Sequence, residues 1–396
     1  MQNAFMHVLP VRVKPAVWED LPSFVRRCSA HMGYERPEWI LSPEKSEWHV
    51  AANRLPRLRY QRDYDVLGCL LNVEEEALYR LTVHRFAPLL SQRESRAVQE
   101  IDRPLVIATP YVSAHLSVSV CPSCLDEPES YDRLYWRVPL ALICPRHGQV
   151  LRRMCPYCQH PIKSLRAHAY RCDFCHQGDY RKDVARAVGP SSALLDASRW
   201  MLQLVGVESE EVGTPSRGAM STPERLKGMS ARQIFVLLEC VTRAFTVSYS
   251  WNELREMCEL WGMLTQRDRE ILNQESESHK LLVVLFFLGL FGDWPRQFEG
   301  WLEEIFQAAS EHGREKELLE GYQERMKQEL SRDPYKGIEA QYRSYVIEWK
   351  QKRGGESCVG KRGRFEEMQE SMSRYGLVSH SRCDWTRHHC AWSQGV

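Results

Sequence analysis

Four short pairs of metal-capable side chains limit what this chain can fold into: Cys121-Pro122-Ser123-Cys124, Cys144-Pro145-Arg146-His147, Cys155-Pro156-Tyr157-Cys158 and Cys172-Asp173-Phe174-Cys175. Two residues between the members let one tight turn aim both side chains at a single ion, and two such turns supply the four thiolate or imidazole ligands of a tetrahedral zinc site. Residues 125–143 separate the first two pairs and residues 159–171 the last two, room enough for a hairpin or short helix that brings each couple together. The spacing therefore predicts two closed sites, Cys121/Cys124/Cys144/His147 and Cys155/Cys158/Cys172/Cys175, with two zinc ions per chain. Interleaved pairing, in which the first and third pairs share an ion, satisfies the same spacing. His160, His168 and His176 are spare donors whose plainer reading is a surface histidine. A disulfide framework belongs to small secreted domains, whereas this chain has 396 residues and no apolar signal segment at Met1–Pro10. A catalytic zinc keeps one position open for water. Here protein fills every position, so hydrolysis is not expected and no catalytic residue is assigned.

At this length two or three domains are expected, and 43% hydrophobic residues supply real cores. Net charge is +1, yet residues 1–190 carry 26 Lys and Arg against 21 Asp and Glu, and the remainder 27 against 31. That tilt is too small to signal nucleic-acid binding by itself. Arginines do cluster at Arg54, Arg57 and Arg59, where a phosphate site and a solvated face are equally good readings. The unpaired cysteines, Cys28, Cys69, Cys240, Cys258, Cys358, Cys383 and Cys390, fit a reducing cytoplasm. The longest apolar run, Leu281–Phe291, is shorter than the roughly 20 residues of a membrane span and predicts a core helix.

Leu21, Phe24, Val25 and Cys28 recur at helical spacing, Gly33 suits a left-handed cap, and Arg26 and Arg27 are expected on that helix's surface. Residues 63–81 read as helix, tight turn, helix. Asn72 closes the first or caps the second, and Glu74–Glu76 sit at the second helix's positive end. This is the outline of a helix-turn-helix, which plain helical hairpins share, and an acidic leading turn would repel phosphate. Residues 114–120 alternate like a strand, and Tyr131–Ile143, with Tyr135 and Trp136 among arginines, serves better as a small zinc-stapled core than as a base-stacking surface.

Helices are expected over 193–207, 230–247, 252–264, 279–291, 295–310, 315–330 and 334–351, with a loop or linker at 208–227. Pro295 is expected in a helix's first turn. The fold class is thus mainly α: an N-terminal helix-turn-helix-like region (1–113), a double zinc-finger module with short strands (114–190), a C-terminal helical domain (191–353) and a mobile basic tail (354–396). Cys383, His388, His389 and Cys390 in that tail could ligate metal only with packed support.

Cys121-Pro-x-Cys124-Leu, Tyr135-Trp136-Arg137, Pro139-Leu-Ala-Leu-Ile-Cys144-Pro-x-His147-Gly148 and Leu151-x3-Cys155-Pro-x-Cys158 together resemble the TniQ family of transposon proteins. Leu21-x2-Phe24-x2-Arg27 with Gly33, and Leu290-Phe-Gly-x-Trp294-Pro295-x2-Phe298, are similar to that family's opening and C-terminal helices. The resemblance implies a noncatalytic target-selection protein in Tn7-like transposition. It further implies a homodimer that rides on a guide-RNA CRISPR effector complex, Cascade, and recruits an AAA+ ATPase near target DNA. Relatives of the TnsD kind read a fixed attachment site directly. Glu74–Leu81 offers only Arg80 for base contacts, which favours the adaptor over the direct reader.

Overall fold

The computed structural model describes residues 12–41, 55, 61–86, 118–138, 142–182, 192–212, 222–248, 251–274, 278–311 and 335–356. The Arg54–Arg59 cluster, residues 114–117, the 315–330 helix, the tail beyond residue 356 and the side chain of Cys240 lie outside the described residues. The chain divides into two compact units, Met1–Met220 with Leu264–Leu281, and Ser221–Met263 with Leu282–Val396.

In the first unit, α1 (Leu21–His31) buries Leu21, Phe24, Val25 and Cys28, the residues its periodicity selects. Gly33 follows it with φ 73°, the left-handed conformation expected there. After α2 (Glu38–Leu41) come α3 (Gln61–Leu71) and α4 (Glu75–Arg80), with Asn72 at φ 51° closing α3. Asn72 can take this conformation because its short polar side chain tolerates it. One core joins these helices: Leu21, Phe24 and Val25 with Tyr64, Leu67, Leu71, Leu78 and Leu81, plus Leu165 from between the third and fourth Cys pairs.

Backbone hydrogen bonds weave the entry to α1 into the metal-binding segment. Asp20 N donates to Asp132 O at 2.9 Å, Leu134 N to Trp18 O at 2.6 Å, and Leu21 N to Leu81 O at 2.8 Å. α5 is the single turn Pro122–Leu125. The strands expected around it reduce to isolated bridges such as Val120 with Arg152 and Ile143 with Val150. Leu134, Tyr135 and Trp136 are buried, so the aromatic segment is core.

α6 (Ala193–Leu204) is capped by Ser192, whose hydroxyl accepts from Leu195 N. The segment read as a loop from 208 differs from expectation: α7 (Ser209–Val212) forms there. Glu208 pairs with Arg85 and accepts from Trp18 Nε1, while Glu211 pairs with Arg133 at 3.1 Å. These long-range partners, invisible to periodicity, fix a stretch that its glycines and prolines marked as free.

In the second unit, α8 (Ala231–Ser248) and α9 (Trp251–Leu260) follow the helical pattern. α10 (Gln266–Gln274), which belongs to the first unit, has no counterpart in the periodicity. Its signal is the Thr265-x-x-Asp268 box, in which Thr265 N donates to Asp268 Oδ2 at 2.9 Å and Asp268 N to Thr265 Oγ1 at 3.1 Å. α11 (Ser278–Gly292) is apolar on all sides and buried over 282–288 and 290–291, the core helix expected.

α12 (Arg296–Glu311) begins one residue after Pro295, so the proline stands just outside the first turn and supplies its carbonyl to Glu299 N at 2.9 Å. α13 (Lys336–Glu356) continues past the expected end at 351. Rings bind this unit together, Trp261 on Phe286 at 5.1 Å and Trp294 on Phe298 at 4.7 Å. No helix among the described residues is long and apolar enough to cross a membrane.

Candidate metal centres and the buried charge network

The eight sequence-predicted ligands converge as two groups of four, Cys121/Cys124/Cys144/His147 and Cys155/Cys158/Cys172/Cys175, whose donor atoms all lie within 4.8 Å of one another. Interleaving is not seen. His160, His168 and His176 stand apart from both groups.

Three of the four pairs fold alike. The residue after the second member donates its amide to the carbonyl of the first: Gly148 to Cys144 at 2.8 Å, Gln159 to Cys155 at 3.0 Å and His176 to Cys172 at 3.0 Å. All three residues have positive φ, 61°, 58° and 57°. His176 is therefore a turn residue. The first pair makes the same hydrogen bond, Leu125 N to Cys121 O at 3.1 Å, but as part of a helical turn that Pro122 starts rather than with a positive-φ residue.

Do these donors fit zinc? With Zn–S bonds of about 2.3 Å, tetrahedral geometry puts neighbouring sulfurs about 3.8 Å apart. Cys124 and Cys144 Sγ are 3.7 Å apart, Cys158 and Cys172 3.7 Å, Cys155 and Cys175 3.9 Å. These separations are far from the roughly 2.05 Å of a disulfide. His147 Nδ1 stands 3.6, 3.3 and 3.7 Å from Cys121, Cys124 and Cys144. Both clusters could hold a metal ion. Burial pushes the Cys144 thiol up to about 12, and a bound cation reverses that by binding the thiolate.

Sequence reasoning missed two supporting residues. Glu127 lies within 3.5 Å of His147 Nε2 and also pairs with Arg146 and Arg133. This leaves Nδ1 for the cluster, since a carboxylate on the second nitrogen fixes tautomer and ring orientation. Burial lowers the His147 pKa, favouring the neutral ring that ligates. Glu127→Ala is expected to weaken metal binding at the first cluster about ten- to a hundredfold, measured by competition with a chromogenic chelator.

Gly178 presses on the second cluster: a Cβ there would stand 2.3 Å from Cys155 Sγ and 3.5 Å from Cys175 Sγ. Gly178→Ala is expected to reduce metal content by about one ion per chain while the first cluster stays loaded, because no displacement of Cys155 Sγ keeps the tetrahedron. Elemental analysis of purified protein reads this directly.

A buried charge network, with no local signal in the sequence, ties α1 to the loops within both Cys/His segments. Arg26, predicted on the surface of α1, is 3% exposed. It donates to Asp132 Oδ2 at 3.0 Å, and Arg166 grips both oxygens of the same carboxylate at 2.7 Å. Burial pushes the Asp132 carboxyl up, but Arg166 and Arg26 more than offset this and hold it at about 2. Arg137 forms a second buried fork on Asp20, at 2.9 and 2.6 Å, and also donates to Ser164. Arg27, the other member of the expected pair, is half-buried and bonded to Glu19. One carboxylate thus joins α1, the loop between the first two Cys pairs and the loop between the last two.

The TniQ family model matches residues 10–151, from the entry to α1 through the first cluster. These residues are a TniQ domain. The match takes in α1–α4 and the Cys121/Cys124/Cys144/His147 group, and the second cluster follows the TniQ domain directly. No curated protein matches the chain.

Proposed function

We propose that this chain is a noncatalytic target-selection adaptor in Tn7-like DNA transposition, with a structural zinc in each cluster. In this reading it links a guide-RNA CRISPR effector complex, Cascade, to the AAA+ transposition ATPase. The TniQ domain carries the reading, since such a domain suggests target selection in Tn7-like elements. The chemistry of the clusters supports a scaffolding metal: each presents four protein donors, and a zinc held by four such donors has no position for a reacting water. Copurification tests it. The zinc-loaded protein is expected to retain Cascade and ATPase subunits, and retention of neither contradicts the adaptor role. Light scattering at micromolar concentration is expected to give twice the chain mass, the homodimer.

The helix-turn-helix outline of α3–α4 favours a second reading, a TnsD-like selector that reads a fixed attachment site. Against it, α4 opens on Glu75 and Glu76, and Arg80 is engaged by Glu76 at 3.0 Å. Binding to attachment-site duplex that outlasts binding to random duplex at physiological salt would favour this selector.

A further inference from the structure

The third residue of each Cys pair distinguishes the two clusters. It is Ser123 and Arg146 in the first, Tyr157 and Phe174 in the second. Ser123 N donates to Gln149 and Arg146 pairs with Glu127, so the first rim is occupied by its own protein. Tyr157 and Phe174 are 68% and 61% exposed, among the largest apolar exposures of the described residues. Phe174 is stacked by His160, ring centroids 3.4 Å apart, and Met154 beside them is also exposed.

Charge chooses the occupant. Residues 151–182 carry seven Lys and Arg against two Asp, whereas residues 121–150 carry three Arg against four Asp and Glu. Of the two acids, Asp179 is paired with Arg181 and Asp173 accepts from Ala167 N. Exposed Lys163 follows His160 by three residues and exposed Arg171 precedes Phe174 by three. Three residues span at most about 10 Å, which keeps both cations within about 10 Å, along the backbone, of a ring of the stacked pair.

We infer that the rim of the second cluster is a stacking platform for unpaired nucleobases of a single-stranded nucleic acid, with Tyr157 and the Phe174–His160 pair as the ring surfaces and Lys163 and Arg171 as phosphate partners. Aromatic faces among cations bind single strands with little sequence preference, because every base has a π-face and the phosphates add a salt-dependent attraction. A metal-held turn presents the rings already ordered, which lowers the entropic penalty of binding. The inference rests on metal loading of the second cluster, and a failure of that assignment shows as missing metal, separately from any loss of binding.

The test is fluorescence anisotropy on the metal-loaded full chain with a labelled 12-nucleotide DNA, the same sequence as RNA, and its DNA duplex. Either single strand is expected to bind at least tenfold tighter than duplex, and the better of the two names the source. Tyr157→Ala/Phe174→Ala is expected to weaken single-strand binding at least tenfold with metal content unchanged. Lys163→Ala/Arg171→Ala is expected to flatten the salt dependence. Unchanged binding by the ring variant at full metal content overturns the inference, as does equal affinity for duplex or loss only of a protein partner.

Discussion

Stripping the metal from the reduced protein with a strong chelator is expected to unfold residues 118–182 and to loosen α1 with them. The described backbone there makes isolated bridges, a tight turn at each of the four pairs and single helical turns, too few cooperative hydrogen bonds to stand alone. Without an ion, the first cluster is a buried group of thiols, with Cys144 pushed up to about 12. Structural zinc contributes about 10–16 kcal/mol in small modules, comparable with the roughly 5–15 kcal/mol stability of a whole domain. Cys144→Ser is expected to do the same through the first cluster alone. The loss should reach α1 because Asp20 N is bonded to Asp132 O and Leu165 packs in the helical core. Hydrogen exchange is the measurement, with protection expected to fall at Phe24 and Gly148 together. Protection retained at both after chelation would contradict the coupling.

Asp132→Ala is expected to lower stability by about 3–5 kcal/mol while both metals stay bound, because it strands Arg26 and Arg166 as buried, unpaired charges. Urea titration of the metal-loaded protein measures this, and a loss below about 1 kcal/mol would show that the guanidiniums find water or other partners. Acid dependence follows from the same group. The folded Asp132 carboxyl, at about 2, lies below the roughly 3.9 of an unfolded chain, so its contribution of about 2 kcal/mol is complete above pH ~4 and fades as pH falls towards ~2. The stability difference between the native chain and Asp132→Asn should close across that window.

The grouping of the eight Cys and His side chains into two fours was legible because a two-residue gap is local information and four thiolate or imidazole donors have few other uses. The helices were legible where one face is buried, as in α1 and α8, and the all-apolar run of α11 announced a buried helix. Arg26 was not legible. Its partner is 106 residues away in sequence, and a lone arginine on a helix reads as surface unless its carboxylate is known. Glu127 was missed for a related reason, since a second carboxylate contact is a property of the folded turn. α10 was within reach, its Thr265-x-x-Asp268 box being a local signal that weak periodicity obscured. The family resemblance was carried by the opening helix, the first cluster and its flanks, which the TniQ model matches, and also by Cys155–Cys158 and Leu290–Phe298, which lie outside that match. The rim at Tyr157 and Phe174 acquired meaning only with exposure known.

The central proposal is that each cluster holds a closed structural zinc ion, with no position left for a reacting water. Zinc-edge X-ray absorption on the purified, reduced protein tests it most directly. The expected result is two zinc ions per chain with ligand distances of about 2.3 Å to sulfur and about 2.0–2.1 Å to one nitrogen, averaging to the seven sulfurs and one histidine nitrogen of the two clusters. Absence of zinc, or an oxygen ligand replacing a sulfur at either ion, would contradict it.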